Sequence, residues 1–183
     1  MTKVLLLSGR KQSGKTTTSK FLHGYEMRRR CVISRFTIDD QGELLVPSVM
    51  DGKEVTGILD IMRSDYDFCK YASESIWPFV KNFSMADPLK EVAMRLFGLT
   101  REQCYGTNEE KNSPTRFKWK DLLFALDSAD KKRLKEKMDE FLTAREFLQD
   151  FGTKVLRRVY DRCFVEACSR DILNEEPEMA IID

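Results

Sequence analysis

Val4 to Thr18 reads VLLLSGRKQSGKTTT, an apolar run leading into Gly9-Arg-Lys-Gln-Ser-Gly14-Lys15-Thr16. This spacing calls for a strand, a tight glycine turn and a helix in immediate succession, and it restricts the chain to folds that carry such a unit. Lys3 to Ser8 holds four consecutive apolar residues, which suits a central parallel strand covered on both faces. In that setting the turn's backbone N–H groups and the helix N-terminus form a concave anion site. Gly9 and Gly14 permit main-chain geometry that a Cβ would obstruct. Lys15 is placed to reach the β- and γ-phosphates of a bound triphosphate, and the Thr16 hydroxyl to ligate Mg²⁺. Lys11 suits an acceptor phosphate or the charge that develops during transfer; Arg10 suits either that role or a solvated loop tip.

Bulk properties exclude several classes. At 183 residues, with 42% apolar and 33% charged residues, the chain suits one soluble globular domain with inserted subregions. A net charge of +1 supplies no global attraction to nucleic acid or to an acidic membrane surface. No signal peptide or transmembrane run is legible. The five cysteines are odd in number and contain no Cys-x-x-Cys pair, so reduced thiols in a cytoplasmic protein are expected. His23 is the only histidine, which excludes a His-rich metal site and leaves it a surface or packing residue.

Further along, a helix is expected from Lys15 to about Arg30, with Phe21, Leu22 and Tyr25 at helical spacing. Two short strands around DDQG make a hairpin insert at about 31–50, and DGKEVTG reads as loop. A helix over Ser64 to Ile76 and a strand in FVKNFSM follow. Asp87-Pro88 reads as an acidic N-cap with proline at the first helical position, in a helix that stops at Gly98. Thr100 with Gln103, and Thr143 with Glu146, are capping boxes. The stretch from Tyr105 to Lys118 reads as loop, within a charged, largely helical insert at about 106–142. Beyond Gly152, one helix is expected to carry Arg157, Asp161 and Phe164 on a single face. MAIID closes the chain as a buried strand. The order strand-helix, strand-helix, strand is that of an α/β fold with a mostly parallel sheet.

Other candidates for chemistry are fewer. Asp87 at a strand end can orient a hydroxyl, water or metal ligand while also capping its helix; Lys90, one turn on, faces either phosphates or solvent. Arg157 and Asp161 are spaced for an ordinary intrahelical ion pair. Asp183 after an apolar strand has the pattern of an acid that supports Mg²⁺. The phenylalanines at 79, 83, 141, 147 and 151 read as core.

Three blocks, LLLSGRKQSGKTTTSKFLHGYE, FSMADPLKEVAMRLFGLTREQCYGT and TAREFLQDFGTKVLRRVYDRCFVEAC, together resemble the bacteriophage deoxynucleoside monophosphate kinases. The resemblance implies a three-layer P-loop kinase fold over residues 1–183, with ATP and Mg²⁺ as cofactors and a deoxynucleoside monophosphate as acceptor. It would assign Gly9, Gln12, Ser13, Gly14, Lys15, Thr16 and Thr17 to ATP and its metal. Lys11, Asp87, Lys90, Arg157, Asp161 and Phe164 would serve the acceptor, with Lys15, Lys11 and Arg157 catalytic. Gln12 stands where the best-known member type has an arginine, and Phe164 where, or beside where, many relatives have a tryptophan. Relatives continue past the AIID strand, so truncation is expected, with C-terminal strands missing and a sheet edge that would favour a homodimer. Two rival expectations stand beside this one: another small-molecule kinase on the same scaffold, and an ATP-binding module without transfer.

Overall fold

The computed structural model of the chain describes residues 1–10, 13–50, 52–61, 63, 65–122, 127–128, 132 and 135–182. In chain order these form β1 (Lys3–Leu6), α1 (Lys15–Arg29), β2 (Thr37–Ile38), β3 (Leu44–Met50), β4 (Lys53–Ile58), α2 (Tyr66–Ser75) and β5 (Val80–Phe83). There follow α3 (Asp87–Phe97), α4 (Arg101–Tyr105), α5 (Asn108–Lys111), β6 (Pro114–Lys118), β7 (Phe141–Thr143), α6 (Ala144–Asp150), α7 (Cys163–Glu175) and β8 (Met179–Ile182). The architecture is mixed α/β and falls into two compact units, Met1–Met85 with Ser169–Asp183, and Ala86–Cys168.

The first unit holds a parallel sheet of order β1-β8-β5. Here the expectation for Lys3 to Ser8 is corrected. β1 pairs only with β8 and lies at the edge, with Val4 and Leu6 each 57% exposed. The covered, central position belongs to β8, where Ala180 and Ile181 are fully buried. Both strands are apolar enough for the centre; a neighbour on each side decides which one is buried, and β1 has one neighbour among the described residues.

Helix α1 also turns a different face inward from the one its apolar spacing suggests. Phe21 and Tyr25 are exposed, while Ser19, Lys20, His23, Gly24, Glu26 and Met27 are buried. The reason is the second sheet, which lies against Gly24. A Cβ on that glycine would come within 2.6 Å of Phe36 and 2.8 Å of Leu44, so only glycine permits the approach. Lys20 is paired with Glu43 at 2.7 Å, and Glu26 with Arg29 at 2.7 Å.

That second sheet is a three-stranded antiparallel meander, β2-β3-β4, rather than a two-stranded hairpin ending near residue 50. β4 occupies the segment expected to be loop. Its side chains are nearly all exposed, so no apolar period marks it, and backbone pairing with β3 alone defines it. α2 begins after Asp65, whose carboxylate accepts from the Phe68 N–H at 3.1 Å. Met27, Phe68, Ala72, Ile76, Val80 and Ile181 form the core of this unit. Each of the larger side chains there contributes about 1.5–3 kcal/mol of burial.

In the second unit the N-cap of α3 is Ala86, not Asp87; Asp87 is the first helical residue and Pro88 the second. Proline's fixed φ suits either place in the first turn, so its position does not fix the cap to a single residue. The helix ends as expected on Gly98, at φ 70°. The two expected capping boxes are present, and a third, Thr107 with Glu110, opens α5. α5 and β6 therefore occupy the stretch that reads as loop. Around them Phe97, Phe117, Phe147 and Phe151 form an aromatic core, with Phe97 and Phe151 centroids 4.8 Å apart. Of the charged insert, residues 123–126, 129–131 and 133–134 lie outside the described residues.

The single helix expected after Gly152 is not formed. A π-helical stretch, Phe151–Leu156, leads into Arg157–Val159, and the chain then breaks at Tyr160 (φ −153°, ψ 106°) before α7 begins at Cys163. Spacing by four and three keeps residues on one face only while the helix continues, so Arg157, Asp161 and Phe164 do not share one.

Candidate functional site

The loop between β1 and α1 is held by its own backbone. Leu7 N–H donates to Ile182 C=O at 2.8 Å, Ser13 N–H to Arg10 C=O at 3.2 Å, and Thr18 N–H to Gly14 C=O at 2.8 Å. Gly14 is the N-cap of α1 in the left-handed region, φ 81°, where a Cβ is disfavoured. At Gly9 an added Cβ would stand 2.5 Å from Ser13 Oγ, so the loop closes tightly there. Among the described residues no side chain caps α1, and its first turn holds no acidic residue. The positive end of the helix dipole and its free N–H groups are therefore unopposed.

Lys15 Nζ donates to the carbonyls of Gly9 at 3.2 Å and Arg10 at 3.3 Å, so the ammonium bends back over the loop. Thr16 is exposed, whereas Thr17 is half-buried beside the turn of the second sheet, where a Cβ on Gly42 would come 2.6 Å from its Oγ1. Ser13 is exposed. Lys11, Gln12 and Asp183 lie outside the described residues. The arrangement can hold a polyanion by main-chain donors and place one cation over it. No His/Cys/Asp/Glu group suited to a metal occurs among the described residues.

Beneath the loop helix lies a polar patch that the sequence does not reveal. Ser19 Oγ, both ring nitrogens of His23 and Asn82 Oδ1 are buried without a hydrogen-bond partner. Burial pushes the His23 imidazole down from its ordinary 6.5 to about 4, and Asn82 beside it opposes the shift. His23 is thus an internal, neutral residue at pH 7.

In the second unit, Asp87 and Lys90 are brought together, Lys90 Nζ lying 3.3 Å from Asp87 Oδ1 and 4.1 Å from the centre of the Tyr105 ring. The Arg101 guanidinium is 5.1 Å from the same ring. Burial, with Asp87 next in importance, raises the Tyr105 phenol well above its ordinary range and keeps it neutral. Burial and then the charges of Lys90 and Arg145 push the Lys111 ammonium down. The Thr-x-x-Glu pattern at Thr107 and Glu110 marks the start of the helix that Lys111 ends.

Arg157 and Phe164 are also brought together, with the guanidinium 5.6 Å from the ring centre. Phe164 itself is buried, its edge turned toward Gly152. Asp161 is exposed in the turn before α7, and no ion pair joins it to Arg157 among the described residues. No helix among the described residues is long and apolar enough to cross a membrane. Compared with protein-family models, with curated proteins and with solved structures, the chain matches none.

Proposed function

We propose that this protein is a P-loop phosphotransferase that uses ATP and Mg²⁺ to convert a deoxynucleoside monophosphate to the diphosphate. One observation carries the nucleotide part: the uncapped N-terminus of α1 at left-handed Gly14, with Lys15 Nζ bent over the loop carbonyls. The acceptor class rests on the resemblance of the three sequence blocks to phage deoxynucleoside monophosphate kinases.

The residues fit a bound triphosphate. Gly14 leaves room for phosphate oxygens to approach the backbone, and no carboxylate in the first turn of α1 repels them. Main-chain N–H groups from Gly14 to Thr16 would hold those oxygens, and Lys15 would exchange its carbonyl partners for them. Thr16, exposed in the first turn, would offer its hydroxyl to the metal, with Asp183 as a second oxygen donor. When bound, Mg²⁺ supplies neutralisation of charge across the phosphates. In this reading Lys11 orients the acceptor phosphate and Gln12 lies beside the donor. Catalysis is positioning and charge stabilisation, without a covalent intermediate.

The test is transfer from ATP to each of the deoxynucleoside monophosphates. Lys15→Ala is expected to reduce transfer by about a hundredfold or more, the scale for losing one positioned transition-state donor. Unchanged activity in that variant, or no transfer to any acceptor, defeats the proposal. The break in the helix after Arg157 favours a second reading, an ATP-binding module without transfer. ATP binding that depends on Lys15 but yields no turnover would select it.

A further inference from the structure

The second sheet reaches the first turn of α1. That helix starts on Gly14 without a side-chain cap among the described residues, and Ser13, Gly14 and Thr16 are exposed. A helix end of this kind frays unless something packs on it, and its free N–H groups then lose their common aim. The turn between β2 and β3, residues 39–43, packs on it. Its Gly42, at φ 79°, lies so close to the helix that an added Cβ would stand 2.6 Å from Thr17 Oγ1. The next residue, Glu43, accepts from Lys20 Nζ at 2.7 Å, and the Lys20 side chain is only 11% exposed. Further along α1, Gly24 is where Phe36 and Leu44 approach closely. Thr17, Lys20 and Gly24 are spaced by three and four, so the sheet follows one face of α1 from its first turn inward. The turn is itself tightly bonded. Asp39 Oδ1 accepts from the N–H groups of Gln41 at 2.9 Å and Glu43 at 2.8 Å. Gly42 N–H donates to Asp39 C=O at 3.0 Å, and Asp39 N–H to Glu43 C=O at 3.1 Å.

We propose that this turn braces the anion loop, with Gly42 and Glu43 as positioning residues that hold the first turn of α1 in the geometry that receives the phosphates of ATP. A side chain at position 42 pushes Thr17 aside, and loss of the Lys20–Glu43 pair frees the turn from the helix. Against apolar groups of the same volume, a buried ion pair adds little stability. What it supplies here is a directional bond between the turn and the second turn of α1. By linkage, a brace that raises affinity for a phosphate ligand is steadied by that ligand to the same extent. The inference deepens the reading above and rests on it for the nature of the ligand. The packing of the turn on α1 does not depend on that reading.

The experiment uses the full chain and two probes, ATP and tripolyphosphate, titrated calorimetrically. Lys20→Met combined with Glu43→Leu removes the pair without leaving a lone buried charge, and should keep the parent's melting temperature. This double variant should bind both probes about fivefold more weakly or worse, the lower end for coupled sites. Gly42→Ala, which sets a methyl against Thr17, should lose at least as much. In the transfer assay both variants should raise KM for ATP and leave KM for the monophosphate unchanged. Saturating the parent with ATP should slow exchange of the Gly42 and Glu43 amide hydrogens by about fivefold, through the same linkage. Parent-like affinity in either variant overturns the proposal, as does exchange at Gly42 and Glu43 that does not respond to ATP. An affinity loss in the double variant matched by a lower melting temperature marks a purely structural role and also overturns it. If the parent binds both probes but transfers nothing, weaker binding in the two variants still upholds the brace while the kinase reading falls. A parent that binds neither probe defeats both.

Discussion

The loop before α1 and the charged side chains of the second unit are built in opposite ways. The loop runs through consecutive residues and works mainly by main-chain donors, fixed by left-handed Gly14 and the tight closure at Gly9. Lys90, Lys111 and Arg145 of the second unit instead come from α3, α5 and α6, across more than fifty residues of sequence. A backbone site tolerates change in most side chains but fails when its φ values are disturbed. A side-chain site fails when a charge is removed, and is sensitive to the caps that hold its short helices.

Acid should distinguish the two regions most strongly, because the loop helix rests on buried neutral His23. The folded state resists protonating this ring until about pH 4, whereas the unfolded chain takes the proton near 6.5. Between those values the unfolded state binds more protons, so stability falls as pH drops from about 6.5 to about 4 and is level below. The full loss is about 3 kcal/mol by linkage. Urea unfolding across this range should show the slope in the parent and a flatter profile in His23→Leu; identical profiles would reject the assignment.

A smaller effect is expected at the loop itself. Gly14→Ala places a Cβ at φ 81° and should cost roughly 1–2 kcal/mol while weakening ATP binding, although no charge changes. Unaltered ATP affinity in that variant would break the contrast between backbone and side-chain sites. The smallest change is in the second unit. Thr107→Ala removes the cap of α5 and should cost about 1 kcal/mol. Urea unfolding should show this loss, and ATP binding should not change; an unaltered unfolding midpoint would reject the cap's role.

The difference in construction also explains what was legible in the sequence. A loop of contiguous residues leaves a spacing pattern, and Gly9, Gly14, Lys15 and Thr16 are identified from it directly. Capping boxes are similarly local, and those at Thr100 and Thr143 are read correctly. Lys111 and Arg145 leave no such pattern, whereas Lys90 is singled out by its place one turn beyond Asp87. Tyr105 to Lys118 reads as loop because it is polar and holds Pro114, although Thr107 and Glu110 carry the signal of a helix start. The face expected to unite Arg157, Asp161 and Phe164 failed for a related reason: spacing arguments assume an unbroken helix, and this one ends at Tyr160.

By itself the sequence determined the strand–glycine–helix unit, the parallel character of the main sheet and the stop at Gly98. These depend on neighbours in the chain, on composition, or on connections too long for hairpins. Only the tertiary structure decided that β8 rather than β1 is central, and that α1 buries His23 and Ser19 while exposing Phe21 and Tyr25. It alone set Arg145 against Asn108 and Lys90 against Tyr105. Burial and charge pairing depend on what packs from elsewhere in the chain, and the local pattern of a segment does not specify its partner.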